Sequence, residues 1–190
     1  MDSSGSIHPY GYNNVKNFLK GISVLMGFKP DRTHIGVVLY SKVAKVAFKF
    51  GEHPHLRKLF RSIHNLPHWK DRTRIDLGLQ TANNSLFSKE GGMRENVTKI
   101  AILLTDGEQT TENINDLVPL RVPADALKRR GITIFVIGIG KFFNRKQLLQ
   151  IVDRRDQLIE ASTFTELEEK VNDIATTLCQ QDVGKSVNKL

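Results

Sequence analysis

The sequence predicts an α/β domain with a doubly wound, mostly parallel sheet and helices on both of its faces. Three observations carry this reading. Segments with helical spacing alternate with short apolar segments along the chain, the order that a parallel sheet with crossover helices requires. Two of the apolar segments, Lys99–Thr105 (KIAILLT) and Ile132–Ile139 (ITIFVIGI), are nearly continuous runs, as expected for strands buried on both faces. The length of 190 residues is enough for one domain with a sizeable core and too little for two typical ones.

The elements follow in order. Val15, Phe18, Leu19, Ile22, Leu25 and Met26 recur at helical spacing, and Gly27 can close that helix. His34–Ser41 (HIGVVLYS) and Val43–Phe50 read as strands joined by a turn at Ser41-Lys42. Leu56, Leu59, Phe60, Ile63 and Leu66 form the apolar stripe of a second helix, which Pro67 stops. Arg74–Phe87 reads as a third helix, with Asp76 in its first turn. Pro123–Arg130 is a short helix followed by Gly131, and Arg145–Val152 is another. Gln157–Ala161 is a short last strand. Thr163–Gln180 is the final helix, with Leu167, Val171, Ile174 and Leu178 on one stripe and Thr165 with Glu168 as a capping box. The domain is placed at residues 1–180, and the polar segment 181–190 is expected to be a tail or linker.

Composition narrows the function classes. The chain is 39% hydrophobic and 25% charged, ordinary values for a globular protein. No apolar run approaches the roughly 20 residues needed to span a bilayer, and no signal peptide is visible. The net charge of +8 comes from bases scattered along the chain, which reads first as solvated surface. A second reading is affinity for polyanions such as sulfated glycans. Specific nucleic-acid binding is disfavoured, because neither an aromatic-rich basic motif nor zinc-finger spacing is present. Gly138-Ile139-Gly140 lacks the third glycine of a dinucleotide site, and there is no Walker-A string. His53, His55, His64 and His68 read as solvated or capping residues, and Pro67 breaks the helical face between the last two. No nucleophile–base pair stands out, so an enzyme is not expected. Cys179 is the single cysteine; Asn83-Asn84-Ser85 and Asn96-Val97-Thr98 are two N-glycosylation acceptors that favour an extracellular compartment only slightly.

The chemistry-bearing motif is Asp2-Ser3-Ser4-Gly5-Ser6 together with Thr105-Asp106-Gly107. Asp2, Ser4 and Ser6 alternate, so an extended segment points them to one side. They offer a carboxylate and two hydroxyls, and Asp106 offers a second carboxylate from the end of a strand. Oxygen ligands of this kind suit Mg²⁺, Mn²⁺ or Ca²⁺ in preference to zinc or copper. In open parallel sheets ligands bind beyond the carboxyl ends of strands, where both motifs are expected. The segment Trp69–Arg74 precedes the third helix and can project Thr73 into the same crevice.

Asp2-x-Ser4-x-Ser6, Thr73 in Arg72-Thr73-Arg74, and Leu103–Gly107 (LLTDG) together resemble the von Willebrand factor type A domain, shared with integrin inserted domains. Ile132–Gly140 and Phe164–Leu167 also look like family segments, and the resemblance covers nearly the whole chain. The closest variety is that of extracellular matrix collagens and matrilins. The resemblance implies a Rossmann-like fold and a metal-ion-dependent adhesion site at Asp2, Ser4, Ser6, Thr73 and Asp106. It implies a non-enzymatic adhesion module in which a divalent ion, Mg²⁺ or else Mn²⁺ or Ca²⁺, is completed by an Asp or Glu of an extracellular partner protein, collagen among the candidates. The alternative is a metal-independent matrix module that binds collagen or sulfated glycan through its basic surface.

The chain departs from the family pattern in two places. The family has an apolar strand ahead of Asp-x-Ser-x-Ser, and here Met1 alone precedes Asp2. A sheet lacking its first central strand is therefore expected, with two apolar edges left unpaired. In extracellular relatives a cysteine before that strand often pairs with one after the last helix, the place of Cys179. The second departure is Pro67-His68-Trp69, where the family often has small glycines. Trp69, with Arg72 and Glu108, is expected on the rim that a ligand touches.

Overall fold

The computed structural model describes the backbone of residues 1–186 and the side chains through Leu178. The helix–strand alternation holds throughout. Helix α1 (Pro9–Leu25) begins with a proline that needs no N–H partner there and ends ahead of Gly27, whose φ of 65° reverses the chain. Strands β1 (Val37–Tyr40) and β2 (Ala44–Phe48) form an antiparallel hairpin, with Leu39 opposite Lys45. Helix α2 (Leu56–His64) is capped by the His55 ring, and α3 covers Ile75–Thr81. Strands β3 (Lys99–Thr105), β4 (Ile132–Ile139) and β5 (Leu158–Ala161) form a parallel sheet with β4 in the middle. Helices α4 (Arg121–Arg129) and α5 (Arg145–Leu148) fill the crossovers. Helices α6 (Phe164–Glu169) and α7 (Val171–Ser186) close the chain.

Alternation along β4 builds two cores, one on each face. Phe135, Ile137 and Ile139 pack with residues of α1, α2, α6 and α7, including Phe18, Leu59 and Ile174. Ile132, Ile134 and Val136 pack with residues of α3, α4 and α5, including Leu79, Leu127 and Leu148. The predicted doubly wound layering is the observed one.

Several element ends shift by one to three residues, as where the strand expected over His34–Ser41 is Val37–Tyr40, and four larger differences from the sequence reading follow. The predicted helix over Arg74–Phe87 gives way after Thr81 to a π-helical turn, Ala82–Leu86, closed by the Phe87 N–H on the Ala82 carbonyl at 2.8 Å. The wider turn lets the adjacent Leu86 and Phe87 both be buried. The helix expected over Arg145–Val152 ends at Leu148, because Gln150 and Ile151 bond three residues back and tighten the chain. The last helix is split at Lys170, and its start is capped two residues earlier than expected. Thr163 accepts the Glu166 N–H and Glu166 accepts that of Ser162, so Thr165 and Glu168 are not the capping pair. Helix α7 continues into the segment expected to be a tail, and residues 187–190 lie outside the described residues, as does the side chain of Cys179.

The hairpin and the parallel sheet share no strand-to-strand pairing. Between them stand only Met1, Asp2 and Ser3. Ser3 N–H donates to the Tyr40 carbonyl (2.8 Å), Tyr40 N–H to Met1 (3.1 Å) and Asp2 N–H to Leu104 (3.1 Å). The Met1 amine donates to the Val38 carbonyl at 3.0 Å. Among the described residues these three are the only backbone bridge across the gap between the β1 edge and the β3 edge, and the Tyr40 hydroxyl adds a side-chain bond by donating to the Leu104 carbonyl at 2.8 Å.

Candidate metal centre

Because Met1–Ser3 pairs with both edges, it delivers Asp2–Ser6 to the carboxyl ends of β1 and β3. The turn that follows is set by Asp2 itself, whose Oδ1 accepts the Ser4 N–H at 2.9 Å. Its Oδ2 accepts the Thr105 hydroxyl at 2.7 Å, so the carboxylate ties the N-terminal segment to the end of β3. The hydroxyls of Ser4 and Ser6 lie 2.9 Å apart, and Ser6 donates to Asp106 Oδ1 at 2.6 Å. Residues a hundred positions apart in sequence thus share one crevice. A Cβ added to Gly107 would sit 3.5 Å from the Ser6 hydroxyl oxygen and 3.7 Å from that of Thr73. Gly107 therefore lies in ordinary contact range of both hydroxyls, which puts Thr73 beside this cradle of oxygens.

The cradle is buried and electrostatically tense. Asp2 is 1% exposed and Asp106 7%. Burial pushes the Asp106 carboxyl up to about 6, with help from the charge of Asp2 and against the Ser6 hydrogen bond. Burial likewise raises Asp2, against its bonds from Ser4 and Thr105. Two desolvated carboxylates with hydroxyls between them fit a hard divalent cation, which would relieve the unmet negative charge. Asp2, Ser4, Ser6, Thr73 and Asp106 are the residues able to hold it.

The three expected rim residues have separate fates. Arg72 is exposed, and its guanidinium reaches the Glu112 carbonyl at 3.4 Å. Glu108 is exposed and is held by Asn144, whose amide donates to it at 3.1 Å. Trp69 is half-buried, packs against the α1 core, and is anchored by its backbone N–H, which donates to the Ser3 hydroxyl at 2.9 Å.

Two supports for the site were missed in the sequence. Ser3 is fully buried; its hydroxyl also donates to the Pro67 carbonyl (3.1 Å), and its own carbonyl accepts the Lys70 N–H (2.8 Å). It fastens the 67–70 loop, where Tyr12 stacks on His68 at 4.2 Å and the His68 ring meets the Ser4 carbonyl at 2.9 Å. The second support is a buried network under Thr73. Arg74 makes a two-pronged pair with Asp76 at 2.8 Å, and Gln109 donates to the same carboxylate at 2.6 Å. Thr73 and Thr110 exchange bonds at 3.1 and 2.9 Å. Burial alone would raise Asp76, but the bonds from Arg74, Gln109 and Val118 outweigh it and leave its carboxyl below the ordinary value. Arg74 and Asp76 two apart at a helix start were a visible signal; nothing in the sequence linked Gln109 to them.

Fold and site together define a doubly wound domain with an all-oxygen cluster at the carboxyl ends of its strands. The chain belongs to the von Willebrand factor type A domain family, whose sequence profile matches residues 1–173. Over 179 residues it is 30% identical to the collagen alpha-6(VI) chain of Homo sapiens, covering 94% of this chain and 8% of that one. It is 27% identical to matrilin-2 of Mus musculus, over 94% of this chain and 18% of that protein. Among solved structures it resembles proximal thread matrix protein 1 from the mussel byssus with a zinc-occupied MIDAS motif, the metal-ion-dependent adhesion site (TM-score 0.85, 26% identity, 94% of this chain and 46% of that one). The chain thus spans less than a fifth of these two curated relatives. Zinc in that neighbour departs from the preference for Mg²⁺, Mn²⁺ or Ca²⁺ read from oxygen ligands alone.

Proposed function

We propose that this domain is a non-enzymatic adhesion module of the extracellular space, which binds a protein carboxylate through a divalent cation. Asp2, Ser4, Ser6, Thr73 and Asp106 hold the ion. The observation that carries the reading is the Ser4–Ser6–Asp106 chain of oxygens, 2.9 and 2.6 Å apart, beside the Thr73 hydroxyl. With hydroxyls for most of its ligands, the site offsets only part of a divalent charge and leaves affinity for one further carboxylate. An exposed Asp or Glu of a matrix protein, collagen among the candidates, supplies it. Mg²⁺ and Mn²⁺ suit the donor set, and similarity to the zinc-bearing neighbour adds Zn²⁺ to the ions worth testing. Arg72 and Glu108, both exposed and close in sequence to Thr73 and Asp106, are the rim residues expected to touch the partner, together with the half-buried Trp69.

The test is adhesion of the domain to immobilised collagen VI and to an acidic peptide surface in Mg²⁺ and in EDTA. Loss of binding in EDTA is the expected result. The net charge of +8 supports the second reading, a metal-independent basic surface for sulfated glycan. In that case binding survives EDTA and falls steeply with salt instead.

A further inference from the structure

Charge is sorted by helix on one face of the domain. Gly11 and Gly21 set one side of α1 against α6 and α7, where added Cβ atoms would meet the Phe164 ring at 2.7 Å and the Val171 side chain at 3.2 Å. The other side of α1 meets α2 and the segment after it. There the Tyr12 hydroxyl donates to the Pro67 carbonyl, and the Lys16 ammonium donates to the His64 carbonyl at 2.9 Å. Helix α6 carries Glu166, Glu168 and Glu169 and no base. Helices α1 and α2 carry Lys16, Lys20, Arg57, Lys58 and Arg61 and no acid. No acidic residue occurs from Ser3 to Pro30 or from His53 to Lys70.

The two basic helices run antiparallel. Helix α1 leaves the Ser4–Ser6 end of the domain and α2 arrives there, with the His68 ring on the Ser4 carbonyl. Lys16 lies at the last turn of α2. Lys20 follows one turn, or about 6 Å, further along α1 and comes level with the middle of α2. Arg57, Lys58 and Arg61 are exposed, opposite the buried Leu59 and Ile63. Packed helices lie about 8–10 Å apart, close to the Debye length of about 8 Å, so these charges act together. None of the five joins an ion pair among the described residues. The arrangement also runs against stability. Helix α2 has no acid in its first turn and places Arg57 and Lys58 there, where the helix dipole disfavours cations. Burial and the charge of Lys20 both lower the Lys16 ammonium. A bound polyanion relieves this repulsion.

The surface also discriminates among polyanions. Neither α2 nor the Lys16–Lys20 turn exposes a large apolar side chain. It thus offers no aromatic platform for nucleic-acid bases and no apolar wedge for a bilayer. A linear chain of sulfates needs neither.

We propose that the seam of α1 and α2 is the docking surface for a sulfated glycan, whose sulfates lie along Lys16, Lys20, Arg57, Lys58 and Arg61. The proposal rests on the second reading above, the basic surface, and gives it a place apart from the metal centre.

The test measures binding of a heparin-derived octasaccharide to the full chain by calorimetry, in EDTA and near physiological salt. One variant carries Arg57→Gln, Lys58→Gln and Arg61→Gln. A control carries Arg129→Gln, Lys141→Gln and Arg155→Gln, which removes the same charge from other exposed positions. The expected result is a loss of about tenfold or more in the seam variant, severalfold in Lys20→Gln and less than twofold in the control. Equal losses in both triple variants overturn the placement while the second reading stands. No binding by the unaltered chain overturns both. Tighter binding to phosphatidylserine vesicles than to the octasaccharide overturns the glycan as occupant.

Discussion

The same two strands, β1 and β3, end differently at their two ends. At the carboxyl end Met1–Ser3 joins them, and the N–H groups of Asp2 and Ser3, the Asp2 carboxylate and the Ser3 hydroxyl and carbonyl all have partners. At the amino end no strand pairing joins them among the described residues, and apolar walls face a cavity of about 510 Å³. The contrast teaches that strand chemistry and strand burial are separate properties. Three residues of intervening chain suffice to assemble an oxygen cluster, while an apolar sequence beside them stays half exposed for want of a neighbour.

The largest effects belong to the sealed parts. Phe135 lies in the middle of β4 and is fully buried, so Phe135→Ala is expected to cost about 3–5 kcal/mol in urea unfolding. Arg74→Met is expected to cost a similar amount, about 3–5 kcal/mol, because it strands the fully buried Asp76 without its ion partner. That variant should also weaken cation binding, since Thr73 adjoins the broken network. A loss near zero in either variant would remove the distinction between a sealed end and an open one.

An intermediate effect is expected from pH. The folded carboxyl of Asp106 is raised to about 6, from an ordinary value near 4. Between those values the metal-free fold holds a proton that the unfolded chain has released. This contribution to stability is complete below about pH 4 and is lost as pH rises through about 6. A divalent cation needs the ionised carboxylate, so its stabilising effect should run the opposite way. Melting temperature should rise with Mg²⁺ at pH 7.5 and hardly at all at pH 5. An equal rise at both would show that Asp106 does not ionise on binding.

The smallest effect is expected at the open end. Ile102 borders the cavity and is only partly buried, so Ile102→Ala should cost about 1 kcal/mol, well below the value for a sealed site. A loss as large as that for Phe135→Ala would mean that the cavity is closed in solution.

Much of this was legible in the sequence, and for identifiable reasons. Lys99–Thr105 and Ile132–Ile139 are strands to the residue, because continuous apolar runs buried on both faces leave little room for another assignment. The π-helical turn at Ala82–Leu86 was not legible, since it depends on Leu86 and Phe87 meeting a core built by distant strands. Of the candidate site, Asp2, Ser4, Ser6 and Asp106 form one hydrogen-bonded cluster, and Thr73 lies against it across Gly107. The supports by Ser3 and Gln109 were illegible, because a serine or glutamine declares its role only through partners about thirty or more positions away.

The most direct measurement is calorimetric titration of the folded chain with Mg²⁺, Mn²⁺ and Zn²⁺, beside Asp106→Ala checked for folding by circular dichroism. One cation bound per chain, with binding abolished by the substitution, is the predicted result. Equal heats from both proteins, or no heat from a folded chain at pH 7.5, would contradict a divalent-cation site at the carboxyl ends of these strands.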